Sequence, residues 1–358
     1  MNAPIQSTPG NTRSGVRAPS QSAPASPAKP PSISSGRIQR PLWLGIYGAA
    51  GVGKTTLAAE APAPIFLDLD DGSSELNVSR FDGIETWPEV LGAVRWMITG
   101  EHDFKTIVFD TVDKMEWLCH QHLCHTPGDK KGNPVSSIEY VASEEGKTNF
   151  GRGHDMTVVE FRRLFAMLHE LRRKRGMTAV FISHGKIASG INPDAAAADF
   201  NVWDLKCGKK LAGLFLESLD GLFYAHRPVA VAAGESQRDR DRGYLDKERL
   251  LGVESTGGYV AKNRFGLTGT VAMNWRSLTE AMGRAATPDA IIASIRARIA
   301  GAESSAVGRV EASIAAAVSA GNTAKLHEID SYLAAKPLPR AATTTDTIPA
   351  ETTATTEE

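Results

Sequence analysis

Cysteine is scarce in this chain. Cys119, Cys124 and Cys207 are the only three among 358 residues, an odd and sparse set that argues against a disulfide framework. Long apolar runs are also missing. None approaches the roughly 18 to 20 residues needed to cross a bilayer, so no membrane partner is expected. The N-terminus lacks the short apolar core of a secretory signal, and a cytoplasmic protein is expected. Neither sign of charge is in excess. Lys and Arg number 40 against 41 Asp and Glu, giving a formal net charge of −1 and a pI near 6.8. That balance excludes a globally basic nucleic-acid coat but leaves room for a local basic groove. No internal repeat is found. What is present is 42% hydrophobic and 23% charged residues, the mixture of a soluble globular chain of one or two domains with a sizeable core.

The charge is unevenly spread. Residues 1–38 contain no Asp or Glu, carry Arg13, Arg17, Lys29 and Arg37, and are rich in Pro, Ser, Ala and Gly. Such a segment buries too little apolar surface to offset its ordering entropy, and a disordered tail is expected. Residues 337–358 turn Thr-rich and acidic, a second expected tail. A basic first tail suits nucleic acid, and an acidic last tail suits a partner such as a single-strand-binding or replication protein. Solubilising ends without specific contacts are the plainer alternative.

Between the tails, short apolar β-rich runs alternate with helical stretches, the pattern of an α/β domain with a mainly parallel sheet. Leu42–Tyr47, Pro64–Leu69, Thr106–Phe109 and Thr178–Ser183 are near-continuous apolar runs, as strands buried on both faces should be. Helices are expected after Gly53, over Thr111–His125 and over Thr157–Arg175, where Val158, Phe161, Leu164, Phe165, Leu168 and Leu171 recur at helical spacing. From Gly221 the runs shorten: Gly221–Ala225, Val229–Ala233, Gly258–Ala261 and Thr270–Trp275 are expected to extend the same sheet with antiparallel strands. Residues 284–336 form a small appendage of Ala-rich helices, leaving 39–283 as the main domain.

Gly48-Ala49-Ala50-Gly51-Val52-Gly53-Lys54-Thr55, followed by Thr56, fits the phosphate-binding pattern G-x-x-x-x-G-K-[ST]. An apolar strand leads into it and a helix-forming stretch follows. Glycines allow backbone N–H groups to wrap phosphates without steric conflict. Lys54 would pair with the β- and γ-phosphates of ATP, and the Thr55 hydroxyl would ligate Mg²⁺. Thr106–Asp110 closes an apolar strand on an acid, and Asp110 is expected to hold the metal's water shell. A second acid should polarise the attacking water. Among Asp68, Asp70 and Asp71, alternation puts Asp68 and Asp70 on one face, with Asp70 nearer the strand's exit and Asp71-Gly72 suited to a turn.

The succession GIYGAAGVGKTTLA (45–58), IFLDLDDG (65–72), TIVFD (106–110), SIEY (137–140), FGRGH (150–154), FISHGKI (181–187) and AKNRFGL (261–267) resembles the phage-encoded RecA-like ATP-binding proteins, some of which act in single-strand annealing. The resemblance spans about residues 41–276. It implies a RecA-like P-loop NTPase core, in which a further strand separates the phosphate-loop strand from the strand of Asp110. Asp70 falls where the family usually has a Glu that orients water, so its carboxylate sits about one methylene back. His184, after Ser183, falls at the polar γ-phosphate sensor. Lys262 and Arg264 resemble the Lys-x-Arg pair that related ATPases insert into a neighbour's site, which implies a homo-oligomer. As residues i and i+2 of a strand they would point the same way.

Two segments are candidates for single-stranded DNA: about Thr126–Asp155, with Lys130, Lys131, Tyr140, Lys147, Phe150 and Arg152, and Gly185–Asp204, with Lys186, Phe200 and Trp203. Asp129, Glu139, Glu144, Glu145 and Asp155 cancel the charge of the first, so a structural or lid role competes there. Cys119-His120-Gln121-His122-Leu123-Cys124-His125 is dense in zinc-ligand types, but one helix cannot converge all four Cys and His positions weighed, 119, 120, 122 and 124. The functional expectation is an Mg²⁺-dependent ATPase that binds single strands and promotes annealing or recombination. A helicase-loading or packaging motor, and a nucleotide-switched binding module with little turnover, are the alternatives.

Overall fold

The computed structural model describes residues 33, 35, 36 and 38–339, apart from 191–199, 233–241, 246, 285–287 and 337. The expected tails, 1–38 and 337–358, lie almost wholly outside the described residues. The chain divides into Met1–Gln39 and Arg40–Glu358, and the second unit carries every helix and strand among the described residues.

The elements run β1 (Trp43–Gly48), α1 (Lys54–Ala59), β2 (Pro64–Asp68), β3 (Ser79–Phe81), α2 (Trp87–Thr99), β4 (Thr106–Asp110), α3 (Val112–His125), α4 (Arg152–Arg175), β5 (Thr178–Gly190) and β6 (Phe200–Leu205). They continue as α5 (Lys209–Ser218), β7 (Gly221–His226), β8 (Val229–Ala232), β9 (Arg242–Leu245), β10 (Leu250–Gly252), β11 (Lys262–Asn263), β12 (Thr270–Ala272), α6 (Trp275–Ala281), α7 (Pro288–Ile299), α8 (Ser304–Ser319) and α9 (Thr323–Ala335).

The main sheet has the order β12-β10-β7-β1-β5-β4-β2-β3. Its centre is parallel, while β10, β11 and β12 add antiparallel pairing on the β7 side. Strand β5 stands between β1 and β4, the insertion that the RecA-like resemblance implies. Both faces are covered, which is why the central strands are apolar throughout. Trp43, Tyr47, Phe109 and Phe181 point to one side, where α2–α5 contribute Trp87, Met115, Phe161, Phe165 and Phe215. Leu44, Ile46, Val108, Val180 and Ile182 point to the other, against Leu57 of α1 and Leu278 of α6. Each fully buried side chain of this size is worth about 1.5–3 kcal/mol.

Local signals shift several boundaries. Helix α4 starts at Arg152 and not near Thr157, because Gly151 caps it in the left-handed conformation (φ 84°). Its last turn carries Arg172, Arg173, Lys174 and Arg175, complementing the helix dipole before Gly176 ends it at φ 65°. Helix α2, not among the expected helices, starts on a Thr86–Glu89 capping box. Segment 229–232 pairs with β9 in a separate two-stranded sheet and does not extend the main one. Gly258–Ala261 is not a strand; Tyr259 makes a single bridge to Trp203. The strand from Thr270 stops at Ala272, because Asn274 caps α6 through Ser277 N. The Gly185–Asp204 segment is largely a β5–β6 hairpin, its residues 191–199 lying outside the described part. Helices α7–α9 enclose their own apolar cluster around Ile291, Ile295, Ile314 and Leu326, and Arg298 of α7 donates to the carbonyls of Ala59 and Ala61.

Candidate nucleotide-binding site

Parallel strands place their carboxyl ends at one edge of the sheet, where α/β proteins bind ligands. Strand β1 delivers the chain to Gly48, where a Cβ would fall 2.2 Å from the carbonyl oxygen of Ala225 on β7, so glycine is required. Gly53 turns the loop into α1 at φ 104°. Ala49, Ala50, Gly51 and Thr56 are exposed, while buried Val52 anchors the loop in the core.

Lys54 is buried, its Nζ donating to the carbonyls of Ala49 (2.9 Å) and Gly48 (3.2 Å). Burial pushes its amine below the ordinary range, and the charge of Asp110 pulls it partly back. Thr55 Oγ1 donates to Asp110 Oδ2 at 2.7 Å. Asp110 closes β4 and is buried, and burial pushes its carboxyl up to about 6 against the lowering effect of the Thr55 bond. Hydroxyl and carboxylate are hard oxygen donors that suit Mg²⁺, and a carboxylate raised by burial is one that gains from a cation.

The loop after β2 closes over this pair: a Cβ on Gly72 would lie 3.9 Å from Thr55 Oγ1 and 4.0 Å from Asp110 Oδ2. Asp68 is consumed within the loop, accepting from Gly72 N (3.0 Å) and Ser73 N (2.8 Å). Asp70 is exposed and accepts from Thr111 Oγ1 at 2.7 Å. His184 pairs in register with Gly48, one strand over on β5.

Asp113, in the first turn of α3, is not among the residues expected from sequence. Its Oδ2 lies 2.9 Å from His184 Nδ1, and its Oδ1 accepts from His184 N at 3.2 Å. One ligand atom each of Asp70, Asp113 and His184 lie within 4.8 Å of one another, the one such trio of His, Cys, Asp or Glu among the described residues. The signal was a second acid three residues beyond Asp110, at a helix start that must abut the strand ends. Arg249, just before β10, is a second addition. Its exposed guanidinium reaches 2.5 Å from the place of a Cβ on Gly53.

Other candidates lie elsewhere. Lys262 and Arg264 sit where β11 meets β7 at Leu222 and Gly221, the end of the sheet remote from Gly48, which pairs with Ala225. Arg264 lies beyond β11, which ends at Asn263, so the two are not i and i+2 of one strand; their side chains nonetheless both reach the C-terminal end of α5. Lys262 Nζ donates to the carbonyls of Leu216 and Glu217, and Arg264 to Asp220 Oδ1 (3.2 Å) and Glu217 O (3.1 Å). In the 126–155 segment, Lys130 and Lys147 pair with Glu144, and Lys131 pairs with Glu145. Phe150 there is 98% exposed. On the hairpin, Ile187 and Phe200 are exposed, whereas Trp203 is packed against Tyr224 and its carbonyl accepts from Tyr47. Cys119, Cys124 and Cys207 are buried free thiols.

This fold and site define a P-loop NTPase of the RecA-like class. A scan of known families matches residues 40–265 to the AAA domain, and the chain belongs to that family. No match is found among curated proteins. Among solved structures, the crystal structure of the RadB recombinase is similar at 12% identity, over 66% of this chain and 90% of that one, with a TM-score of 0.33. No helix among the described residues is long and apolar enough to cross a membrane.

Proposed function

We propose that the protein binds and hydrolyses ATP with Mg²⁺, and that this cycle serves single-stranded DNA binding and annealing or recombination in phage DNA metabolism, in the host cytoplasm. The observation that carries the reading is the meeting of Lys54, Thr55, Asp110 and Asp70 at one edge of the sheet. The loop from Gly48 to Thr56 wraps the phosphates with its N–H groups. Lys54 would exchange two loop carbonyls for β- and γ-phosphate oxygens, and Thr55 and Asp110 would hold the cation. Bound between them, Mg²⁺ would supply positive charge that offsets that of the phosphates. Asp70 holds the attacking water, and His184 faces the γ-phosphate end.

Lys262 and Arg264 lie at the far end of the sheet, so a role at a γ-phosphate is a role on a neighbouring molecule. Self-association is part of the same proposal. DNA contact falls to the β5–β6 hairpin and to the exposed aromatics Phe150 and Tyr140. One observation favours a second reading, a nucleotide-switched binding module: Lys130, Lys131 and Lys147 are all paired with glutamates.

Filter binding with labelled single- and double-stranded DNA, with and without ATP–Mg²⁺, separates the two. The DNA reading expects ATP-dependent retention of single strands that weakens steeply with salt. Lys54→Ala should abolish nucleotide binding and turnover while the fold survives. Nucleotide binding with no DNA retention selects the switch module, and undiminished turnover in Lys54→Ala removes the whole proposal.

A further inference from the structure

We propose that Asp113 is a positioning residue: it holds His184 so that the free ring nitrogen and the Asp70 carboxylate together orient the attacking water. The inference rests on the ATPase reading above and assigns the parts of its water site.

Asp113 reaches away from its own helix. Thr111 already caps α3, accepting from Lys114 N at 3.4 Å, so the Asp113 carboxylate is not needed for the cap. It turns instead to β5 and engages one residue twice, at His184 N and His184 Nδ1. Two contacts from one rigid carboxylate fix both the main chain and the ring of His184. They also fix the tautomer. A ring nitrogen facing a carboxylate carries the proton, so neutral His184 is protonated at Nδ1 and bare at Nε2. Burial pushes the Asp113 carboxyl up, but the His184 ring and N–H bonds outweigh it and hold it below its ordinary value, which keeps it an acceptor. Lys206 Nζ, 3.5 Å from Asp113 Oδ2, adds a positive neighbour on the same side.

A bare Nε2 accepts; it does not donate. Neutral His184 is therefore a poor hydrogen-bond partner for a phosphate oxygen and a good one for a water proton. Asp70 supplies the other acceptor, itself steadied by Thr111 Oγ1. A water donating one hydrogen to Asp70 and the other to His184 leaves its lone pairs facing away from both, as attack requires. One nitrogen of the His184 ring and one carboxylate oxygen each of Asp70 and Asp113 lie within 4.8 Å of one another, so the ring Asp113 holds stands beside the Asp70 carboxylate, close enough for a water to join them. The second acceptor also answers the short reach of Asp70: two groups share the orientation that one longer glutamate would provide.

The experiment compares wild type with Asp113→Asn, Asp113→Glu, His184→Gln and the Asp113→Asn/His184→Gln double variant. It measures affinity for a fluorescent ATP analogue, steady-state turnover, and histidine ring ¹⁵N shifts, with the His184 signal assigned by its loss in His184→Gln. Asp113→Asn should lower kcat by about 10–100-fold, the usual scale for removing a histidine's orienting partner, with nucleotide affinity little changed. Asp113→Glu should restore part of the rate. The double variant should be no slower than the slower single, because both act through one ring. The wild-type His184 signal should be that of the Nδ1–H tautomer and should change in Asp113→Asn. An unchanged kcat in Asp113→Asn, independent losses that multiply in the double variant, or an Nε2–H tautomer in wild type would each overturn the proposal while leaving nucleotide binding intact. Absence of nucleotide binding by wild type would instead overturn the ATPase reading on which it stands.

Discussion

The two ends of the parallel sheet are furnished with the same residue types and treat them in opposite ways. At one end, Asp220 is buried and accepts from Trp43 N (3.0 Å), Arg40 (3.0 Å), Arg172 (2.9 Å) and Arg264 (3.2 Å). Arg172 also stacks on the Trp43 ring at 4.1 Å. Burial raises the Asp220 carboxyl, but the Trp43 bond and the Arg172 and Arg40 charges outweigh it, holding it below its ordinary value. At the opposite end, Asp110, closing β4, is as buried but has one hydroxyl donor, and it is pushed up to about 6. A carboxylate wrapped in donors has spent its lone pairs inside the protein. One left short of donors, beside a lysine resting on loop carbonyls, keeps lone pairs free.

Arg264→Ala tests whether that division holds between molecules. If Arg264 also serves a neighbour's γ-phosphate, the variant should bind ATP nearly normally yet lose turnover by about 10³–10⁵. Mixing it with Lys54→Ala protein should then restore some rate, since an interface can pair an intact Lys54 with an intact Arg264. Mixtures that never complement, together with a lowered Tm, would confine Arg264 to the Asp220 brace.

Asp220→Ala should be the largest purely structural loss. Removing the anion strands Arg172 and frees the Trp43 N–H, and breaking a buried pair in this way costs about 3–5 kcal/mol. A urea titration should show a lower midpoint, with ATP affinity of the folded fraction unchanged. A midpoint within error of wild type would mean that the arginines find solvent at no cost.

The smallest effect is a pH dependence that should have opposite signs at the two ends. A carboxyl with a raised folded-state pKa makes the ligand-free protein less stable as pH rises from about 4 to 6, because the folded state holds its proton longer than the unfolded state. Mg²⁺–nucleotide removes that penalty, so the Tm gain on adding it should grow between pH 5 and pH 7.5, and Asp110→Asn should flatten the growth. Asp220 has a lowered folded-state pKa, so its contribution is present above its ordinary value near 4 and is lost as pH falls below it. Thermal melts across pH 3–8 on wild type and the two variants distinguish the ends; parallel curves would erase the contrast.

Much of the site is legible along the chain because its chemistry is local. The phosphate loop must be contiguous, since consecutive N–H groups wrap one ligand, and Gly48, Gly53, Lys54 and Thr55 are recognisable without knowledge of their neighbours. Central strands buried on both faces write their position as unbroken apolar runs, so β1, β2, β4 and β5 are found where those runs lie. Asp113 is less legible. An acid in a helix's first turn reads as dipole compensation, and only the abutment of α3 on β5 aims it at His184.

Sequence periodicity and motif spacing alone therefore settle the α/β class, the phosphate loop, and Asp110 at a strand end, because each depends on residues within one element. The order β2-β4-β5-β1-β7 brings Asp70, just after β2, Asp113, just after β4, and His184, within β5, together and carries Lys262 and Arg264 to the opposite end of the sheet. That Gly72 and Ser73 engage Asp68 while Asp70 stays exposed is a contact of folded backbone that alternation cannot reveal. Side chains of one type differ only in the donors, charges and solvent around them, and those neighbours come from distant parts of the chain.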